Sequence, residues 1–294
     1  MTSTWTVLSL LNWAAPYLEK HGSTSPRLDA ELLLAQVLAC QRLELYLRFD
    51  KPLAPAELAS FKELILQRRR GVPVAYLLGT REFWSLDFKV NEAVLVPRPE
   101  TEHLVEAATE FIEKNFPKGC PTLDIGTGCG NIILALAHYF AAAADFSGLG
   151  SDLRPAALAV ARENAAKLKI KNVSWLASDL FSALTPGTHA FDLIVSNPPY
   201  INSAEMKSLP REVLCEPTAA LDGGPDGLEF YRRISKEAKN FLNPGGGLIF
   251  EVGDGQADAV KKILASNNYN AISTRYDLAR HERVVMGVNK SLTL

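Results

Sequence analysis

The chain has 294 residues, 47% of them hydrophobic and 22% charged, which excludes a disordered or fibrous protein and gives room for a sizeable core in two domains. No apolar run approaches the roughly 20 residues that a membrane-spanning helix requires, and the formal charge of −2 lacks the basic excess of a dedicated nucleic-acid binder. The four cysteines, Cys40, Cys120, Cys129 and Cys215, form no paired motif, which speaks against a zinc site or disulfide framework and fits a reducing cytoplasm.

The first twenty residues lack the basic start and small-residue cleavage site of a signal peptide and read as an amphipathic helix, so a cytoplasmic location is expected. Over residues 5–70 apolar positions recur at three and four, in Leu8, Leu11, Ala15 and Leu18 and again in Leu28, Leu32, Ala35 and Leu38. Pro26 and Pro55 mark helix starts, and the strip Gln67–Arg70 reads as the solvated end of a helix. A small helical bundle is the simplest packing. From Val74 to Val96 alternation of Phe83, Trp84, Leu86, Phe88 and Val90 suggests a strand or hairpin. Pro97 and Pro99 then end extended structure, and a helix follows over 100–115.

After residue 119 strands alternate with helices. Strands are expected over 122–125, 148–152, 173–177, 193–196, 247–252, 271–276 and 284–288, with helices over 131–143, 155–168, 227–242 and 256–267. This pattern predicts a mainly parallel sheet. The last two strands leave no room for a helix between them, so a hairpin with one antiparallel strand at the end of the sheet is expected. There is no internal repeat and no low-complexity tract.

The segment Leu123-Asp124-Ile125-Gly126-Thr127-Gly128-Cys129-Gly130-Asn131 is a strand, a glycine-rich turn and a helix start. Doubly wound sheets bind nucleotides at such a turn. A dinucleotide fingerprint would need glycine where Asn131 stands, so the spacing departs from the NAD pattern. Asp152 ends the next strand, where a carboxylate can take both ribose hydroxyls. Asp179 ends the third, where it can take an adenine amine, with Leu180 walling the ring. Each aspartate alone would equally suit a helix cap or turn; together with the glycines they favour a nucleoside ligand.

Ile194-Val195-Ser196-Asn197-Pro198-Pro199-Tyr200 ends an apolar strand in a stiff polar loop. Asn197 Oδ1 and the Pro198 carbonyl can accept the two N–H bonds of a planar amide or amino group, and Tyr200 can stack on it. That fixes a poorly nucleophilic nitrogen and adds electron density as a new bond forms. No general base is needed first, because the proton becomes acidic only as nitrogen gains positive charge. The plainer reading is a rigid turn after a buried strand.

Together these segments resemble the PrmC/HemK family of release-factor glutamine N5-methyltransferases. The likeness runs through Arg81–Trp84, Leu95–Glu102 with its Pro-Arg-Pro-Glu-Thr-Glu, Gly126–Gly130, Ser178-Asp179, Asn197–Tyr200, Glu216-Pro217, Ala220-Leu221 and His281–Val284. It implies an α/β protein, with a seven-stranded Rossmann-like class I methyltransferase domain (99–294) joined by a β-hairpin (74–98) to a small all-α substrate-recognition domain (1–73). S-adenosylmethionine is the implied cofactor, held by Gly126, Thr127, Gly128, Cys129, Gly130, Asp152, Asp179, Leu180 and Asn197. Asn197, Pro198, Pro199 and Tyr200 would hold the glutamine of a Gly-Gly-Gln loop in peptide chain release factors, and no metal is expected. Leu180 stands where some relatives carry Trp, which makes the adenine wall aliphatic. Arg98 and Glu100 would shape the substrate entrance or form an ion pair at the joint between domains. An adenine-N6 nucleic-acid methyltransferase poses the same chemical problem but needs a cationic surface for phosphates and an extruded base. Three more distant readings are a ribosomal-protein glutamine methyltransferase, an NAD-dependent oxidoreductase, which the glycine spacing disfavours, and a non-catalytic adapter.

Overall fold

The computed structural model describes residues 5–188, 190–277 and 279–289. Two compact units emerge: Met1–Thr80 with Leu209–Cys215, and Arg81–Ser208 with Glu216–Leu294.

The first unit contains α1 (Val7–Lys20), α2 (Pro26–Val37), α3 (Arg42–Tyr46), α4 (Pro55–Arg69) and α5 (Val74–Leu78). Thr6 and Ser9 cap α1 reciprocally, Thr6 N donating to Ser9 Oγ at 2.8 Å and Ser9 N to Thr6 Oγ1 at 3.3 Å. Pro26 and Pro55 begin α2 and α4, where a missing N–H costs nothing. Leu11, Ala14 and Leu18 of α1 face Leu33, Leu34, Phe61 and Ile65 in one apolar core. The beginning of the expected extended stretch is corrected here. Residues 74–78 are helical, because Val74, Leu77 and Leu78 pack on this core and Gly79, at φ 73°, ends the turn. A buried cation also belongs to this unit: Arg68, 8% exposed, donates to Asp29 and to Glu212, each at 2.7 Å.

β1 (Thr80–Phe83) and β2 (Leu86–Lys89) form a two-stranded sheet. Trp84 and Ser85 turn between them at φ 54° and 57°, the left-handed backbone that tight hairpins require. Trp84 N donates to Glu102 Oε1 at 2.8 Å, an N–H that a strained turn would otherwise leave unpaired.

In the second unit follow α6 (Glu102–Asn115), β3 (Pro121–Ile125), α7 (Asn131–Tyr139), β4 (Ser147–Asp152), α8 (Pro155–Lys167), β5 (Val173–Ala177) and β6 (Phe191–Ser196). The short α9 (Arg211–Leu214) lies in the segment that belongs to the first unit. α10 (Glu229–Ala238), β7 (Leu242–Glu251), α11 (Ala257–Ser266), β8 (Tyr269–Tyr276) and β9 (Glu282–Asn289) complete the chain.

The seven-stranded sheet has the order β5-β4-β3-β6-β7-β9-β8, parallel except for β9. The antiparallel strand therefore does not sit at the sheet's end as expected. β9 docks against β7, and β8 takes the edge. Burial explains the order, since Val284 and Val285 of β9 are buried whereas Asn270 and Ala271 of β8 are exposed. Tyr231, Ile234, Val260 and Leu264 from α10 and α11 join Leu123, Ile194, Leu248 and Phe250 from the strands in one core. The chain winds outward from β3 through β4 to β5, then returns to β6 on the other side of β3. The crevice above the carboxyl ends of β3 and β6 is thus the switch point where such sheets bind ligands.

Candidate active site

The turn from β3 into α7 is held from below. Gly126 N and Thr127 N both donate to Ser151 O at 2.9 Å, and Thr127 Oγ1 donates to Asp124 Oδ2 at 2.6 Å. Burial pushes the Asp124 carboxyl up to about 7 against the pull of the Thr127 hydroxyl. Gly126 and Gly128 have φ of 73° and 56°, and a Cβ on either would meet no protein atom within 4 Å. The space they leave open is a cavity of about 720 Å³ whose lining they share with Asp152, Asp179, Leu180 and Asn197–Pro199.

Asp152 reaches into this cavity while its oxygens accept Gly128 N at 3.0 Å and Arg154 N at 2.9 Å. One carboxylate therefore braces the turn and keeps lone pairs for a diol. Asp179 also lines the cavity, but both of its oxygens accept from Arg233 Nη2, at 3.0 and 3.1 Å, an exposed pair that a ligand would share. Leu180, Phe230 and Ile234 supply apolar wall. A glycine cradle, an acidic partner and an aliphatic slot of this size fit a nucleoside with a charged tail.

Thr127, Cys129 and Gly130 do not line the cavity. Thr127 turns inward to Asp124, and burial pushes the Cys129 thiol up to about 12, so it stays neutral. Gly130 starts α7, with Leu134 and Trp175 filling the space where its side chain would lie.

β6 ends at Ser196, whose hydroxyl donates to Ile125 O at 2.7 Å and ties the two central strands together at the site. Asn197 Nδ2 donates to Thr101 Oγ1 at 3.2 Å, which ties the amide to the short turn Pro99–Thr101. The loop beyond is braced along its length. Tyr200 O accepts Gln256 Nε2 at 2.9 Å, Ile201 N donates to Leu221 O at 3.0 Å, and Gly223 N donates to Ile201 O at 2.8 Å. A Cβ on Gly223 would fall 2.7 Å from Tyr200 Cα, so only glycine permits this approach. The Tyr200 hydroxyl is pushed up to about 12 by burial and by the nearby Glu251 carboxylate, which keeps it a neutral donor. Arg98 is ion-paired with the buried Glu216, which also accepts Val96 N at 2.9 Å, while Glu100 is exposed. Neither Arg98 nor Glu100 lines the cavity.

Sequence reasoning missed Phe230 and Ile234 on α10 and, more consequentially, Glu251 at the last position of β7. Glu251 is 3% exposed, and its one visible signal was a lone acid closing the apolar run Leu248-Ile249-Phe250.

Comparisons with known proteins agree with this geometry. Residues 9–79 match the family described as PrmC N-terminal domain, and residues 116–290 match one described as Methyltransferase domain. A release factor glutamine methyltransferase of Rhodopirellula baltica is 45% identical over 287 residues, covering 96% of this chain and 95% of that protein. One from Geobacter sulfurreducens is 42% identical over 284 residues, covering 96% of each. Among solved structures, the 16S rRNA N2 G1207 methyltransferase of Thermus thermophilus, in complex with AdoMet and guanosine, shares the fold at a TM-score of 0.52 and 20% identity. That likeness covers 72% of this chain and 50% of that one. With the glycine cradle, the Asn-Pro-Pro-Tyr loop and near full-length likeness in agreement, the chain belongs to the release factor glutamine methyltransferase family.

Proposed function

We propose that this protein transfers a methyl group from S-adenosylmethionine to the side-chain amide nitrogen (N5) of the glutamine in the Gly-Gly-Gln loop of peptide chain release factors. The observation that carries the reading is Asn197, which lines the cavity beside the glycine cradle while its amide nitrogen donates to Thr101 at 3.2 Å.

In this reading Gly126, Gly128, Asp152, Asp179 and Leu180 hold S-adenosylmethionine, which supplies an electrophilic methyl group. Asn197 Oδ1 and the Pro198 carbonyl each accept one N–H of the glutamine amide. These contacts strengthen as nitrogen takes on positive charge, so they favour the transition state over the bound substrate. The bracing of the loop by Gln256, Leu221 and Gly223 places both acceptors before substrate arrives, so that catalysis is chiefly orientation. Tyr200, neutral and half-buried, follows the cavity-lining Asn197–Pro199 without lining the cavity itself, and in this reading would stack on the amide once substrate is bound. The helical unit, residues 1–73 by the sequence reading, would recognise the body of the release factor. Its exposed Trp13 stacks on Tyr17 at 5.1 Å, and such aromatic surface is typical of protein recognition.

The test is incubation with labelled S-adenosylmethionine and, in parallel, a release factor, its Gln→Ala variant, a ribosomal protein mixture and duplex DNA. Label on the release factor alone, lost in the Gln→Ala variant, is expected. Label on DNA instead would make the protein a nucleic-acid methyltransferase, and label on ribosomal proteins would move its target to the ribosome.

A further inference from the structure

An asparagine amide has two faces of similar shape, and only one of them can serve this reaction. Presented oxygen first, Asn197 accepts an N–H; flipped, it would set its own NH₂ against that of the substrate. Thr101 alone cannot decide between the two, because a hydroxyl both donates and accepts.

The carboxylate behind it can. Glu251 ends β7, where Phe250 pairs with Ser196, the residue before Asn197. It is 3% exposed, and its Oε2 has no hydrogen-bond partner among the described residues. Burial pushes the carboxyl up to about 7; hydrogen bonds from the Thr101 hydroxyl and the Asn197 amide pull it down, as does the Arg283 charge, while Glu100 pushes it up. Its backbone is anchored from α10, Tyr231 Oη donating to Glu251 O at 3.0 Å. Above about pH 7, where it is ionised, that carboxylate only accepts. A chain that ends on its ionised form is therefore polarised: Asn197 N–H to Thr101 oxygen at 3.2 Å, with the Thr101 hydroxyl and the Asn197 amide set against Glu251.

We propose that Glu251 is a positioning residue for methyl transfer, holding the Asn197 NH₂ toward the protein through itself and Thr101 and so leaving Asn197 Oδ1 as the face the substrate amide meets. The proposal rests on the reading of Asn197 as the acceptor of a substrate N–H. It accounts for an acid standing at the end of an apolar strand where burial disfavours its charge.

The decisive variants are Glu251→Gln, of the same shape but no longer acceptor-only, and the pair Thr101→Val and Thr101→Ser. Glu251→Gln is expected to lower kcat for release-factor labelling at least tenfold. Its KM for release factor and its affinity for S-adenosylhomocysteine should stay within threefold of wild type, with Tm undiminished. Thr101→Val should lower kcat similarly, and Thr101→Ser should recover most of the loss. The double variant Glu251→Gln/Thr101→Val should be no slower than the worse single one, as for residues acting as a unit. A readout independent of substrate is the side-chain amide ¹H–¹⁵N pair of Asn197, assigned by its loss in Asn197→Ala. In wild type both protons should exchange slowly with solvent, and in Glu251→Gln that protection should disappear. Wild-type kcat with unchanged Asn197 resonances in Glu251→Gln overturns the proposal. So does a kcat loss that arrives with weakened cofactor-product binding and a lowered Tm, which would mark a merely structural residue. Should wild type itself leave the release factor unlabelled, the substrate reading falls, and the Asn197 resonances alone decide the role of Glu251.

Discussion

Asp152 Oδ2 accepts the backbone N–H of Gly128 across 3.0 Å, so the residue that offers the cavity a carboxylate also fixes the turn that forms its floor. Asp152→Asn would present a donor to one of two backbone N–H groups. The expected result is S-adenosylmethionine binding weakened between tenfold and a hundredfold, about 1.4–2.8 kcal/mol. Calorimetric titration measures it directly; unchanged affinity would remove Asp152 from the binding site.

Asn197→Ala separates binding from chemistry. The variant lacks the acceptor that acts on the reacting nitrogen but keeps the glycine cradle and Asp152. Cofactor affinity is expected to stay within a few-fold of wild type, while kcat drops by about 10²–10³, the typical loss for one transition-state contact. Full activity in this variant would exclude the proposed mechanism.

Gly223→Ala probes the loop from behind. The new Cβ would lie 2.7 Å from Tyr200 Cα and 2.8 Å from Pro199 O, both backbone atoms that cannot move aside without shifting Asn197–Tyr200. A stability loss of about 1–3 kcal/mol is expected from overpacking, with a fall in kcat larger than the change in cofactor affinity. Thermal melting and single-turnover labelling together check both parts.

Asp124 and Glu251 give the fold an unusual pH response. Burial raises both carboxyls to about 7, from 3.8 and 4.5. Between about pH 4 and pH 7 the folded protein holds protons that the unfolded chain has released, so raising the pH through this window lowers stability. Above pH 7 the deficit stays constant, at ~3–4 kcal/mol per group from 1.36 kcal/mol for each pKa unit. Denaturant titrations of Glu251→Gln and Asp124→Asn should each show a flatter profile from pH 4 to 7 than wild type. A wild-type stability that rises over this window would contradict the assignment.

Much of this was legible in the sequence, because strand–helix alternation and the two loop motifs depend on local spacing. The glycine turn and Asn197–Tyr200 each follow an apolar strand, so their approach at one sheet edge follows from topology. The edge position of β8 was not read, because a hairpin can dock by either strand. Only the contrast between Val284-Val285 and the polar Asn270, Ser273 and Thr274 settles which goes inside. Glu251 escaped notice because an acid at a strand end ordinarily meets water, and its partner Thr101 lies 150 positions earlier in the chain (251 − 101). The helical turn at Val74–Leu78 was hidden by β-branched and aromatic residues that also suit a strand, and core packing decided the matter.

Arg68 tests the first unit. Arg68→Ala would leave Asp29, 7% exposed, with the Ser23 hydroxyl at 2.7 Å as its remaining side-chain partner among the described residues. A loss of about 3–5 kcal/mol is expected for removing one partner of a buried pair. Glu212→Ala should cost no more than about 1 kcal/mol, since that carboxylate is 37% exposed. Equal losses in chemical denaturation would show that burial does not distinguish the two partners.

Because Leu209–Cys215 belongs with the first eighty residues, the backbone passes between the units at Thr80/Arg81, Ser208/Leu209 and Cys215/Glu216. No single cut of the chain can therefore separate them. A fragment ending at Thr80 would leave behind Glu212, one of the two carboxylates on Arg68, and a deletion of the first eighty residues would strand a seven-residue piece within what remained. The same stretch begins nine residues after Tyr200 (209 − 200), so after proteolysis at Ser208 the Asn-Pro-Pro-Tyr segment would be held downstream by the bonds of Tyr200 and Ile201 to Gln256, Leu221 and Gly223 instead of by chain continuity, with every residue of the sheet in place.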